Sequence, residues 1–238
     1  MYPQTGAFVI SVDYAKSPKY PYPHALLQTY EVLKWTLSTA SSPHGIEVDP
    51  GRVAIMGNSA GGNLTASLSL LLSFTSGSCA HFRRQLPSGF VQVLQVLLYP
   101  SLEQYTRYNE RLARTDEAAK ARSLPARVAE LMEDSYLPGY IDRRSMFVAP
   151  LATGPELLKS LRLRSALILR AGLDCLKDEA LAFGDKLTQA GVSVDGHEYP
   201  DAIHGFSHYV KGADFRADDV RDCWERIIDA LKAAFRPG

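Results

Sequence analysis

The sequence has little of what marks a nucleic-acid-binding, membrane or disulfide-rich protein. Its 26 basic and 26 acidic residues give a formal net charge of zero, so we expect no nucleic-acid partner and no binding to an anionic membrane. The three cysteines lie far apart, with no CxxC and no metal-ligand spacing. They indicate reduced, packed thiols, and we expect neither a metal nor another cofactor. No apolar run is long enough to predict a membrane span.

The first residues also lack the features of a targeting segment. Residues 1–6 contain neither a basic region nor a long apolar stretch, so they predict no signal peptide. A cytoplasmic location is therefore the default expectation, and a signal or anchor would have to lie in upstream sequence. A length of 238 residues with 46% hydrophobic content predicts one domain with a sizeable core.

The most informative pattern in the chain is Gly57-Asn58-Ser59-Ala60-Gly61. An apolar run precedes it at 53–56 and a helix-like stretch follows at 63–68. Gly-x-Ser-x-Gly between a strand and a helix is typical of a nucleophile elbow, a turn that lifts the serine hydroxyl above a sheet. The turn is so sharp that we expect only glycine to fit on either side of Ser59, at Gly57 and Gly61. The pattern predicts that Ser59 is a nucleophile.

Strand-like and helix-like segments alternate along the chain. Strands are predicted at 7–13, 53–56, 90–99, 165–171 and 192–199, with helices at 24–38, 63–74, 177–190 and near the C-terminus. This alternation predicts an α/β fold with a mostly parallel sheet and helices on both faces. Residues 103–144 are charged and helix-prone, and we interpret them as a small cap or lid insert within a single domain, 1–238.

A serine hydroxyl is a weak nucleophile that needs a base, which in turn needs a third group to orient it. In elbow hydrolases the acid and then the histidine follow the serine, each at the end of a later strand. Asp174 follows the strand predicted at 165–171, and His204 follows the strand predicted at 192–199. The order predicts that Asp174 and His204 join Ser59 in a catalytic triad.

Each of these assignments has an alternative. Asp174 could cap the following helix, and Asp178 and Glu179 are competing carboxylates, although both fit the first turn of that helix. Asp201 could tune His204 or be a solvated turn residue. The other histidines have no comparable placement and are expected to be surface or packed residues: His24, His44, His81, His197 and His208.

Several motifs together resemble one known family. They are Gly57 to Leu64, Val12-Asp13-Tyr14 with Pro18 and Tyr20 to Pro23, Asp174 with Lys177-Asp178-Glu179, and His204-Gly205-Phe206. In this order they are similar to the hormone-sensitive-lipase branch of the α/β-hydrolase fold, which includes arylacetamide deacetylases and many microbial and fungal esterases. The resemblance implies a carboxylic-ester hydrolase that acts on a small-molecule ester through an acyl-enzyme. It implies that Ser59 is the nucleophile, Asp174 the acid and His204 the base, with the Ala60 N–H as an oxyanion donor.

One family motif is missing from this sequence. Members carry a His-Gly-Gly-Gly loop upstream of the strand that matches 7–13, and no such loop occurs here. The only His-Gly before Ser59 is His44-Gly45, which we interpret as plain loop. We therefore expect an N-terminally incomplete sheet, impaired activity and self-association through the incomplete sheet.

Two further questions stay open at the level of sequence. The same fold supports ligand receptors, such as the plant gibberellin receptor, in which the triad histidine is lost. A non-catalytic small-ligand-binding module or pseudo-enzyme is thus the alternative function. The sequence also does not distinguish esterase, amidase, thioesterase and lipase activities, because all of them use the same triad. One further set of apolar residues either lines a lipophilic pocket or packs helices together: Tyr105, Tyr108, Leu131, Met132, Phe147 and Leu151.

Overall fold

A computed structural model of the chain describes residues 2–38 and 47–236. Its centre is a four-stranded sheet in which every neighbouring pair is parallel. The strands, in both chain and spatial order, are β1 (Val53–Asn58), β2 (Gln92–Leu98), β3 (Ser165–Leu173) and β4 (Ser193–Ile203). Four of the five strands predicted from sequence are thus confirmed, with ends shifted by a few residues.

Ten α-helices lie in the described part of the chain. They are α1 (Tyr2–Thr5), α2 (His24–Thr36), α3 (Ala60–Leu72), α4 (Ala80–Arg84), α5 (Tyr108–Arg114), α6 (Glu117–Arg122), α7 (Ala126–Tyr136), α8 (Pro155–Leu161), α9 (Lys177–Gln189) and α10 (Ala217–Ala234). Short 3-10 turns occur at Pro150–Ala152 and Phe206–His208. The predicted helices α2, α3, α9 and α10 are confirmed, whereas α1, α4 and α8 were not predicted.

Helices cover both faces of the sheet, as the alternating pattern predicts. On one face, Leu97 of β2 packs in a buried cluster with Phe183 of α9 and with residues of α3 and α8. On the other face, the neighbouring Val96 packs in a second cluster with Ile227 of α10. Complete burial of each such aliphatic side chain stabilises the fold by roughly 1.5–3 kcal/mol. Because side chains alternate along a strand, β2 contributes to both clusters.

The first predicted strand does not form, and this expectation was wrong. Residues 7–13 form neither helix nor strand, and Phe8 and Val9 are 45% and 53% exposed. Their β-branched and aromatic composition favours extended backbone, but a strand also needs a hydrogen-bonding neighbour. Within the residues that the structure describes, β1 pairs with β2 alone, and 7–13 forms no ladder with the open edge of β1. Self-association through this edge stays a prediction, and His44-Gly45 lies outside the described residues.

Residues 103–144 contain α5, α6 and α7, of which α5 packs on α7 and α6 packs on β3. Their action as a cap or lid stays a prediction. Tyr108 and Leu151 are buried, whereas Leu131 and Met132 of α7 are 68% and 57% exposed. Those two side chains therefore line no enclosed pocket. Among residues 2–38 and 47–236, no helix combines the length and apolarity that a membrane crossing requires.

Candidate active site

Ser59 lies at the turn between β1 and α3, with φ 53° and ψ −117°. Positive φ is rare for residues other than glycine and marks local backbone strain. Hydrogen bonds to the next strand and loop hold this conformation. The Ser59 N–H donates to the Leu98 carbonyl at 2.9 Å, and the Ser59 carbonyl accepts from the N–H groups of Asn63 and Ser101 at 3.1 and 3.3 Å.

Close packing explains two of the glycines around the turn. A Cβ at Gly57 would collide with the Gly61 carbonyl and lie 2.8 Å from Thr65 Oγ1. A Cβ at Gly62 would lie 2.7 Å from Pro100 Cβ. At Gly61 the nearest atom is 3.9 Å away, which is ordinary van der Waals contact. The steric requirement thus falls on Gly57 and Gly62, and the expectation that only glycine fits at Gly61 was wrong.

The three side chains predicted to form the triad are in hydrogen-bond contact. His204 Nε2 lies 2.8 Å from Ser59 Oγ, and His204 Nδ1 lies 2.6 Å from Asp174 Oδ2. The side chains of His204 and Asp174 are 14% and 2% exposed. The second carboxylate oxygen of Asp174 accepts from the Leu176 N–H at 3.1 Å. This chain of contacts can move a proton from the serine hydroxyl to an oriented imidazole.

The sheet topology explains why residues so far apart in sequence meet. Parallel strands end at the same edge of a sheet, and Ser59, Asp174 and His204 each follow the carboxyl end of a strand directly. Asp174 comes after β3 and His204 after β4, its neighbour. Gly205 then turns the chain with φ 81°, in the left-handed region that glycine adopts readily.

The competing carboxylates lie elsewhere in the described structure. Glu179 accepts hydrogen bonds from the N–H of Leu102 at 2.5 Å, and Asp178 is exposed at the start of α9. Asp201 is 70% exposed and lies 3.1 Å from Arg216. Asp174 does not cap α9 in the expected way, since the residue that precedes this helix is Leu176. Asp174 is thus the carboxylate that contacts His204.

The histidines expected to be surface or packed residues lie away from Ser59 in the part of the chain described. The ring of His24 stacks on Tyr20, and Nδ1 of His81 lies 2.6 Å from the Ser78 carbonyl. His197 packs on Tyr199 and His208 on Trp224. His44 lies outside the described residues.

Tyr99 is a site residue that our sequence analysis missed. Its ring packs edge-on against the His204 ring, with centroids 5.0 Å apart, and its hydroxyl lies 2.7 Å from Ser207 Oγ. Burial raises the pKa of Tyr99 to about 12, so the phenol is neutral at physiological pH. Its position in the sequence could have indicated a site residue, because Tyr99 directly follows β2 and so lies at the same sheet edge as Ser59. Tyr99 thus packs against the imidazole that contacts both Ser59 and Asp174.

A buried ion cluster joins the 103–144 segment to the site. Arg111 of α5 lies 2.6 Å from the Glu133 carboxylate of α7 and 2.9 Å from the Glu179 carboxylate of α9. These side chains are 3%, 7% and 2% exposed, respectively. Burial raises the pKa of the Glu179 carboxyl, and Arg111 opposes that rise. Burial alone would lower the pKa of Arg111, but Glu179 and Glu133 hold it above its ordinary value.

This cluster also orders the loop beside Ser59. Glu179 accepts from the Leu102 N–H, one residue after the Ser101 N–H that donates to the Ser59 carbonyl. Asn63 adds two bonds, because its side-chain amide donates to the carbonyls of Ser101 and Val148, both at 2.8 Å. Sequence analysis missed the cluster because a charged segment gives no sign of which charges will be buried.

Replacing Arg111 with methionine is expected to lower the free energy of unfolding by about 3–5 kcal/mol, because two buried carboxylates lose their shared partner. Arg114→Met is the matched control. Arg114 lies on the same helix and pairs with Glu103 at 2.8 Å, but its side chain is 58% exposed. Exposed pairs contribute at most about 1 kcal/mol. Urea unfolding of both variants measures the difference, and equal losses would contradict the burial argument.

A parallel sheet with helices on both faces, and a serine at a strand-to-helix turn in contact with a histidine–aspartate pair, define the α/β-hydrolase class. Comparison with known protein families gives the same class. A protein-family model described as the alpha/beta hydrolase fold matches residues 1–208. The chain belongs to this family, the hormone-sensitive-lipase-like esterase branch, as the sequence motifs predict.

Curated relatives and solved structures agree with this assignment. The chain is 32% identical over 204 residues to carboxylesterase NlhH of Mycobacterium tuberculosis, an alignment that covers 85% of this chain and 57% of the relative. Esterase LipI of the same species is 32% identical over 206 residues, with the same coverage. A carboxyl esterase 2 from Tuber melanosporum superposes with a TM-score of 0.77 at 26% identity, covering 99% of this chain and 70% of the other. The chain thus spans a little over half the length of these two curated relatives.

Proposed function

We propose that this chain is a serine hydrolase that cleaves carboxylic esters of small molecules. The observation that carries the proposal is the unbroken contact from Ser59 Oγ through both ring nitrogens of His204 to Asp174, with distances of 2.8 and 2.6 Å. The two Mycobacterium tuberculosis relatives, a carboxylesterase and an esterase, support the same reaction. Turnover of p-nitrophenyl acetate by the purified chain, with labelling by a fluorophosphonate probe, tests the proposal.

The proposed mechanism has two half-reactions. Ser59 Oγ attacks the acyl carbon while His204 Nε2 takes the hydroxyl proton, and Asp174 stabilises the imidazolium that forms. His204 then gives the proton to the leaving alcohol, which leaves an acyl group on Ser59. A water molecule attacks this ester in the same way, and the carboxylic acid departs. No step requires a cofactor.

The negative charge that develops on the acyl oxygen needs hydrogen-bond donors. We infer that the Ala60 N–H is one of them. Ala60 is the first residue of α3, so its N–H has no acceptor within the helix and lies at the positive end of the helix dipole. The His-Gly-Gly-Gly loop that supplies further donors in this family is not part of the sequence. We therefore propose that these 238 residues alone hydrolyse esters more slowly than a polypeptide that also carries such a loop.

Addition of an upstream segment that carries His-Gly-Gly-Gly is expected to raise kcat by about 10²–10³-fold, because each oxyanion donor contributes this much to acyl transfer. The segment is taken from one of the esterase relatives and fused before Met1. In the control fusion, proline replaces the loop glycines and thereby removes their N–H groups. Initial rates on p-nitrophenyl acetate give the comparison. Equal rates for the unfused chain and both fusions would refute the oxyanion argument.

The alternative, a non-catalytic ligand-binding module, has less support. Receptor-like members of the family lack the histidine, whereas His204 here contacts both of its partners. Esterase, amidase, thioesterase and lipase reactions use the same triad, so the triad does not set the reaction subtype. Parallel assays with ester, amide and thioester substrates would separate these activities.

A further inference from the structure

A second candidate site lies at the opposite end of the sheet from Ser59. A cavity of about 190 Å³ opens between the end of α3, α4 and the loop that leads from α8 into β3. It reaches Gln92 and Ser165, the first residues of β2 and β3, whereas Ser59 lies beyond the last residue of β1. Seven residues of strand separate these ends by roughly 20 Å. The cavity therefore does not belong to the proposed active site.

Three arginines line this cavity: Arg83, Arg162 and Arg164. Within the described residues, no carboxylate lies among the residues that line it, and none lies within ion-pair distance of these three guanidinium groups. Other arginines differ, since ten of the seventeen arginines in the chain form ion pairs with carboxylates among the described residues. Arg83 has neutral partners, because its guanidinium donates to the carbonyls of Leu72 and Phe90, both at 3.1 Å. Arg162 and Arg164 are exposed, and their guanidinium groups have no ion-pair or hydrogen-bond partner among residues 2–38 and 47–236.

A buried amide gives an independent indication of a ligand. Gln95 of β2 is 2% exposed and lines the cavity. Its neighbours Leu94 and Val96 face α10, so Gln95 points to the opposite face of the sheet, where the cavity lies. Its side-chain oxygen is buried and has no hydrogen-bond donor in the described structure. Buried polar atoms without a partner are rare in folded proteins. A ligand that donates a hydrogen bond here would satisfy this atom.

We propose that the cavity binds a phosphate group, with Arg162 and Arg164 as its ligands and the Gln95 amide as a hydrogen-bond partner. Guanidinium groups match the geometry of phosphate oxygens. Singly protonated phosphate also carries one hydroxyl, which can donate to the side-chain oxygen of Gln95. Sulfate has similar size and charge but no hydroxyl at neutral pH, so it cannot make this bond. The volume is many times the 10–15 Å³ or so that one water requires.

The test is isothermal titration of the full chain with sodium phosphate at pH 7.5 and constant ionic strength, with sulfate and glycerol 3-phosphate as further titrants. The Arg162→Gln/Arg164→Gln double variant is expected to bind phosphate at least about tenfold more weakly, because charged hydrogen bonds are lost. The control is Arg127→Gln/Arg236→Gln, which removes the same charge from two exposed arginines outside the cavity. Circular dichroism confirms that each variant is folded.

The comparison of ligands and variants decides the proposal. We expect saturable one-site binding of phosphate, weaker binding of sulfate, and loss of that preference in Gln95→Met. Tighter binding of glycerol 3-phosphate than of inorganic phosphate would assign the site to phosphate monoesters. An equal loss of phosphate affinity in both arginine double variants, or no saturable binding of phosphate to the original chain, would contradict the proposed site. Equal affinity for sulfate and phosphate would overturn the role of Gln95.

Discussion

Replacing Ser59 with alanine is expected to lower kcat/KM for p-nitrophenyl acetate by at least about 10³-fold and to abolish labelling by a fluorophosphonate probe. Removal of a triad nucleophile in serine hydrolases costs this much or more, and the residual rate comes from binding and the oxyanion donors. The fold should persist, because the contacts that hold the turn are made by the backbone of Ser59. Steady-state kinetics and gel fluorescence of the labelled protein measure the two effects.

The matched control is Ser88→Ala. Ser88 is exposed in the turn before β2 and lies outside the proposed site, so its replacement should leave both the rate and the labelling unchanged. Labelling that persists in Ser59→Ala at the level of the original chain would show that another residue is the nucleophile. Loss of labelling in both variants would point to a defect in folding instead.

Asp174→Asn is expected to lower kcat by about 10⁴-fold with little change in the stability of the fold. The amide can no longer hold the Nδ1–H tautomer of His204, so Nε2 carries a proton and cannot accept one from Ser59. Asparagine keeps the size of the side chain and an oxygen for the Leu176 N–H, which donates to Asp174 at 3.1 Å. Initial rates, together with the midpoint of urea unfolding, separate a catalytic effect from a structural one.

Asp178→Asn tests whether the effect is specific. It makes the same change of charge four residues later, on an exposed side chain, and should alter kcat less than about twofold. A similar loss of rate in both variants would mean that the local electrostatic field matters and not the contact with His204. A normal rate in Asp174→Asn would show that this contact does not orient the base.

The elbow and the order of the site residues could be predicted because they are local features. Gly-x-Ser-x-Gly between an apolar run and a helix specifies its own turn, and a residue that directly follows a strand inherits a place at the sheet edge. Asp174 and His204 are therefore found from the ends of β3 and β4. Pattern alone could not show that Gly62 and not Gly61 has the close neighbour, since that neighbour, Pro100, lies 38 residues away.

The first strand illustrates the opposite case. Residues 7–13 have the composition of a buried strand, yet they stay outside the sheet and leave Phe8 and Val9 exposed. Composition sets the preference of the backbone for an extended conformation, but the ladder depends on a partner strand. A segment joins a sheet only if a second segment pairs with it, so the sequence of one segment cannot predict this pairing.

The α/β fold class and the parallel direction of the strands could be read from the sequence, and so could the proposal of Ser59, Asp174 and His204 as the triad, because all of these depend on short-range pattern and chain direction. Which charges become buried, as in the cluster of Arg111, Glu133 and Glu179, is visible only in the folded chain, and so is the lack of a partner for a buried polar atom such as the Gln95 side-chain oxygen among the described residues. These outcomes depend on distances between segments remote in sequence. The free energy of burying a charge or an amide depends on the groups that surround it in the folded chain, and the residue type alone does not specify those groups.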